Sequence, residues 1–126
     1  MDNRARLAEQ RFDTALVYVK TAQAVLAIGG MSLRSLDTTA MYCFETNKWR
    51  TMLQRLNVAR VSASACVVEN NIYIVCGGSD RDRGVSSLEK LPISALSNSE
   101  IQWELLMLSE KEVLRFSPIV CSYKSN

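Results

Sequence analysis

The stretch "IYIVCGG", residues 72 to 78, runs five apolar or aromatic residues into two glycines, and 48 positions earlier "AVLAIGG", residues 24 to 30, does the same. One buried strand stopped by a glycine pair is local chemistry, because glycine takes backbone conformations and close approaches that a Cβ forbids. The same device written twice at a domain-scale interval is the signature of a repeat architecture. Backward from each pair the order is the same: an Arg, an apolar strand, a polar turn and a second apolar strand, in "RFDTALVYVKTAQAVLAI" and in "RVSASACVVENNIYIVC". Forward, "MYCFETNKW" places an aromatic strand and a short turn before Trp49, and "LEKLPISALSNSEIQW" a weaker strand and a longer turn before Trp103. A further opening, "RFSPIVCSYKSN", follows, so Arg11, Arg60 and Arg115 mark equivalent points 49 and 55 residues apart.

The runs Ala15 to Val19, Val25 to Ile28, Ala65 to Val68 and Ile72 to Cys76 are short and rich in β-branched or aromatic residues. Such runs suit strands covered on both faces. The links "KTAQ" and "ENN" are hairpin-sized, so the first two strands of each unit pair antiparallel. Residues 97 to 116 read alone would pass for an amphipathic helix. Strand is the preferred reading, since it brings Trp103 into register with Trp49.

The double glycine after the second strand, the aromatic Tyr42 on the third, the Trp on the fourth and the Arg opening the next unit resemble kelch repeats, whose period is about 50 residues. The resemblance covers residues 11 to 122. It departs from the pattern in the second unit, where the third strand lacks its aromatic and carries Pro92. The resemblance implies an all-β fold of four-stranded antiparallel β-propeller blades. The expected organisation is a polar segment over 1–10, a first blade over 11–56, a second over 57–108, and the first strand of a third, truncated blade over 109–126. A propeller closes with four to eight blades, so the expectation is an incomplete ring, a piece of a longer protein that is completed by further blades or by self-association. Gly29, Gly30, Gly77, Gly78, Tyr42, Trp49, Trp103, Arg11, Arg60 and Arg115 are read as structural. The Trp pair is expected to fill the space between sheets, and the three Arg to hydrogen-bond carbonyls or carboxylates at blade junctions rather than to ring a channel with cations.

Composition narrows the chemistry. The chain has 126 residues, 48% of them hydrophobic, and a net charge of +2, which gives no electrostatic reason to expect nucleic acid or an anionic membrane. No apolar run approaches the roughly 18 residues of a membrane span, and the polar start "MDNRARLAEQ" lacks the core of a secretory signal, so a cytoplasmic protein is expected. The four cysteines, Cys43, Cys66, Cys76 and Cys121, have no zinc-ligand spacing and lie in apolar runs, as reduced, buried thiols do. With no histidine, Ser/His/Asp and Cys/His catalysis are excluded, no G-x-S-x-G occurs, and neither glycine pair has the spacing of a phosphate-binding loop. No enzyme activity, metal or cofactor is expected.

The loop "SDRDRG", with Asp80, Arg81, Asp82 and Arg83, follows one strand end, and Arg34 in "MSLRSLD" follows the corresponding end of the first unit. Loops on a rigid scaffold are where binding concentrates. These five residues are the candidate contacts to a protein partner of unknown identity, the role that the kelch resemblance implies for substrate receptors and scaffolds. A non-catalytic segment of a galactose-oxidase-like propeller enzyme and a purely structural piece of a larger assembly are the alternatives.

Overall fold

The computed structural model describes residues 10–79 and 87–107. They form two four-stranded antiparallel sheets with no α-helix. The first sheet, in spatial order, is β1 (Ala15–Val19), β2 (Ala24–Ile28), β3 (Thr39–Cys43) and β4 (Lys48–Thr51). The second is β5 (Ser64–Val68), β6 (Asn71–Val75), β7 (Ser87–Pro92) and β8 (Glu104–Met107). Each is a meander in which every strand pairs with the next in sequence. The segment 97 to 116 contains no α-helix where described: a 3-10 turn over Ile93–Ser97 leads toward β8. β7, the strand that departs from the repeat pattern, is six residues long, and Pro92 closes it at the one end where a missing N–H does not interrupt the ladder. The expected strand over 109–126, with Arg115 and Cys121, and the segment 1–9 lie outside the described residues.

Strand pairing follows the same register in the two sheets. Ala15 pairs with Ile28 as Ser64 pairs with Val75, and Ala40 pairs with Thr51 as Glu89 pairs with Leu105. The β1–β2 link has four residues and the β5–β6 link two, so the repeat distance is 49 residues on β1 and 47 on β2. One consequence moves the glycine pairs. Gly30 corresponds to Gly77, both with positive φ, but Gly29 (φ +67) corresponds to Cys76 (φ +59), and Gly78 takes the place of Met31. The two GG pairs, which the sequence presents as equivalent, are one residue out of step.

Alternation places Ala15, Val17, Val19, Leu26, Ile28 and Met41 on one face of the first sheet, and Ala65, Val67, Ile72, Ile74, Leu91 and Trp103 on one face of the second. These two faces make a single core between the sheets, joined by Met52 and Leu56 of the connecting segment. The β1 and β5 strands run side by side through it. Hydrogen bonds seal the outer edge, where Gln54 Nε2 donates to the Ala95 carbonyl (2.8 Å) and Arg50 to the Leu96 carbonyl (3.1 Å).

Candidate functional site

The β2–β3 link, the exit of β4, the segment 52–63, the end of β6 and the start of β7 all lie at one end of the two sheets. The link over 29–38 is held from both sides. Gly29 N–H donates to the Thr38 carbonyl (2.9 Å), Leu36 N–H to Gly30 (2.8 Å), Gly30 N–H to Arg60 (2.7 Å) and Arg60 N–H to Leu36 (3.1 Å). Phe12 and Met31 exchange a pair of backbone bonds at 2.8 Å. A Cβ on Gly29 would lie 2.5 Å from the Arg60 carbonyl oxygen, so this glycine is what lets the link meet the next unit's first residue.

Two buried or half-buried guanidiniums clamp the necks of the links. Arg11 Nη1 donates to the carbonyls of Gly29 (3.0 Å) and Thr38 (2.9 Å), and its Nη2 to Thr38 Oγ1 (3.0 Å). Arg60 repeats this 49 residues on, with Nη1 donating to the carbonyls of Cys76 and Ser87 (both 2.9 Å) and Nη2 to Ser87 Oγ (2.8 Å). Arg60 also pairs with Glu89 at 3.1 Å, both side chains being fully buried. Burial pushes the Arg60 guanidinium below its ordinary value, and the Glu89 carboxylate opposes the shift. The carboxylate is satisfied further by the backbone N–H groups of Asn57 (2.6 Å) and Val58 (3.1 Å). A buried pair of this kind holds geometry, since breaking it would strand a charge in the core.

On this scaffold the tip Ser32–Ser35 closes on itself through Ser32 N–H donating to the Arg34 carbonyl (3.0 Å). Leu33 stands fully in solvent and Arg34 is exposed beside it. Together with Ser35, Asp37, Arg55 and Ala59 they line an open cleft of about 560 Å3. Arg55 spends its charge on Asp37 at 3.3 Å, whereas no described residue engages the Arg34 guanidinium. Asp80, Arg81, Asp82 and Arg83 lie outside the described residues.

The structural candidates separate. Trp103 is 4% exposed within the core between the sheets. Trp49 holds the same register position but lies on the first sheet's outer face, where no described residue forms a second sheet over it. There it joins Tyr42 (ring centroids 5.4 Å apart), Phe44 and Tyr18 in an aromatic row. Leu33, Arg55, Asp37 and Glu89 are contributors that the sequence did not mark. A fully apolar Leu inside the polar loop "MSLRSLD" is the one signal that would have found Leu33.

Among the described residues no cluster of three His, Cys, Asp or Glu side chains is placed to hold a metal ion, and no helix is long and apolar enough to cross a membrane. Cys43, Cys66 and Cys76 are free thiols. Hydrogen bonds from the Thr46 backbone and hydroxyl and from the Glu45 backbone lower the pKa of Cys43, while burial raises that of Cys66. Compared with known proteins, the chain matches no family model and no curated protein.

Proposed function

We propose that the chain is a protein-binding module of the kelch-propeller kind, its two sheets serving as blades that present the links at one end to a partner, within a reducing cytoplasm. The observation that carries this reading is the β2–β3 link. Its backbone is pinned by hydrogen bonds on both sides, yet it holds an apolar side chain, Leu33, wholly in water beside a guanidinium that no described residue engages. Covering a wholly exposed leucine stabilises a complex by roughly 1.5 to 3 kcal/mol, and a pre-ordered loop loses little entropy when that happens. Leu33 and Arg34 are the proposed anchors, with Arg81 and Arg83 as further contacts. No catalytic role is proposed.

A photo-crosslinking residue in place of Leu33 in the full chain, irradiated in an extract of the source cells, tests the reading. A discrete protein adduct is expected, and Arg34→Ala in the same background should weaken it at least fivefold with an unchanged melting temperature. An adduct pattern indifferent to Arg34, or one equal to that from a crosslinker at exposed Leu53, would reject these residues as a binding site.

A further inference from the structure

The cleft lined by Leu33 and Arg34 has two walls, the link 29–38 and the segment 55–59. Leu56 N–H donating to the Asp37 carbonyl (2.8 Å) and Arg60 N–H donating to the Leu36 carbonyl (3.1 Å) tie the walls together. The second wall is anchored further by Glu89, whose fully buried carboxylate accepts from the backbone N–H groups of Asn57 (2.6 Å) and Val58 (3.1 Å) while it pairs with Arg60. A buried ion pair seldom improves on well-packed apolar residues for stability, and what this one does is hold the wall that carries Arg55. The charged lining residues are Arg34 and Asp37 from one wall and Arg55 from the other, so two guanidiniums against one carboxylate leave a net charge of +1. Arg55 gives Asp37 a single contact, from Nη1 to Oδ1 at 3.3 Å, with side chains 68% and 38% exposed. So exposed a pair contributes little to stability, and a competing carboxylate can draw on the same guanidinium.

We propose that this cleft takes the carboxylate of an Asp or Glu side chain in an extended segment of the partner, and that Asp37 limits how tightly it does so by holding Arg55 in the free protein. The proposal rests on the reading of the Leu33 link as a binding loop. A carboxylate monoanion matches the charge of the cleft, whereas a phosphate dianion would exceed it and meet Asp37 as a like charge. Arg34 presents the planar, forked donors that receive a carboxylate through two parallel hydrogen bonds. Leu33, wholly exposed on the same link, calls for an apolar neighbour to that acid, because its burial is the other part of the contact. The recognised element is therefore an acidic residue next to an apolar one. Asp37 adds a consequence of its own. As a competitor inside the site, it should strengthen binding when its charge is removed and its shape kept, the reverse of what losing a purely structural contact would do.

A phage-displayed library of short random peptides, panned on the full chain at low salt, tests this, with the recovered peptides then made synthetically and titrated by fluorescence anisotropy. Peptides carrying Asp or Glu beside an apolar residue are expected. Changing that acid to its amide should weaken binding at least fivefold, Arg34→Ala should weaken it as much, and raised salt should weaken every complex. Asp37→Asn should tighten binding at least threefold, and in that background Arg55→Ala should weaken it by a larger factor than in the unaltered chain. Recovered peptides without an acid, or an Asp37→Asn affinity no higher than that of the unaltered chain, would overturn the inference. If such peptides still lose affinity on Leu33→Ala, the link remains a binding loop and only its chemistry is reassigned. Peptides indifferent to both Leu33 and Arg34, or no enrichment over a blank support, would remove the loop-binding reading as well.

Discussion

Cys76 sits at φ +59, where the first unit has Gly29 at φ +67. A residue with a Cβ pays about 1 to 2 kcal/mol for that conformation, and it is tolerated here because the neck around it is tied to the Arg60 guanidinium and the Ser87 carbonyl. The next residue is less forgiving. At Gly77 (φ +92) a Cβ would come within 2.8 Å of the Val61 carbonyl and 2.9 Å of the Ala63 Cβ. Gly78 bridges Val61 at the position where the first unit carries Met31. Gly77→Ala is therefore expected to destabilise by about 2 kcal/mol or more, and Gly78→Ala by no more than about 0.5 kcal/mol, in urea unfolding. Equal costs would mean that the two glycine pairs are in step after all.

At the scale of the element, β4 and β8 carry the two tryptophan positions, and the sheets give them different work. Trp103→Ala opens a cavity between packed sheets and should cost roughly 3 to 5 kcal/mol. Trp49→Ala removes a half-exposed ring and should cost roughly 1 to 2 kcal/mol in dilute monomer. Thermal or urea denaturation of the two variants measures the difference, and parity would place Trp49 under cover. The hairpin at each first link was legible in the sequence because two apolar runs flank a short polar turn, whereas the four-stranded antiparallel sheet was what the kelch resemblance implied. β7 was under-read. Its aromatic is missing, but Leu88, Glu89 and Leu91 are all buried, and Glu89 is buried because of Arg60, a partner 29 residues away that local pattern cannot reveal.

For the whole molecule, the decisive feature is that one core spans both sheets. Leu26 is fully buried in it and faces the second sheet. Its truncation should loosen both sheets together. Leu26→Ala is expected to lower the melting midpoint by several degrees while circular dichroism and Trp103 fluorescence still report one coincident transition. Separate transitions would show that each sheet stands alone, which a seam with cross-sheet bonds from Gln54 and Arg50 argues against. The loop end is tied to the same seam: the link bearing Leu33 and Arg34 is bonded to Arg60 of the following unit through the Gly30 N–H and the Leu36 carbonyl.

Period, the first hairpin of each unit and the all-β class were set by the sequence alone, because they follow from local alternation, glycine punctuation and the recurrence of Arg and Trp. Register was not, since the β5–β6 link is two residues shorter than its counterpart and shifts one glycine pair against the other without changing either motif. Burial was not either: Trp49 and Trp103 occupy matching positions, and only the presence of a neighbouring sheet makes one of them core. Nor could the sequence place the exposed Leu33 and Arg34 over a cleft shared with Arg55 and Ala59. Alternation encodes which side of a strand a residue takes, whereas what lies against that side depends on contacts between residues far apart in the chain, and those exist only once the sheets have packed.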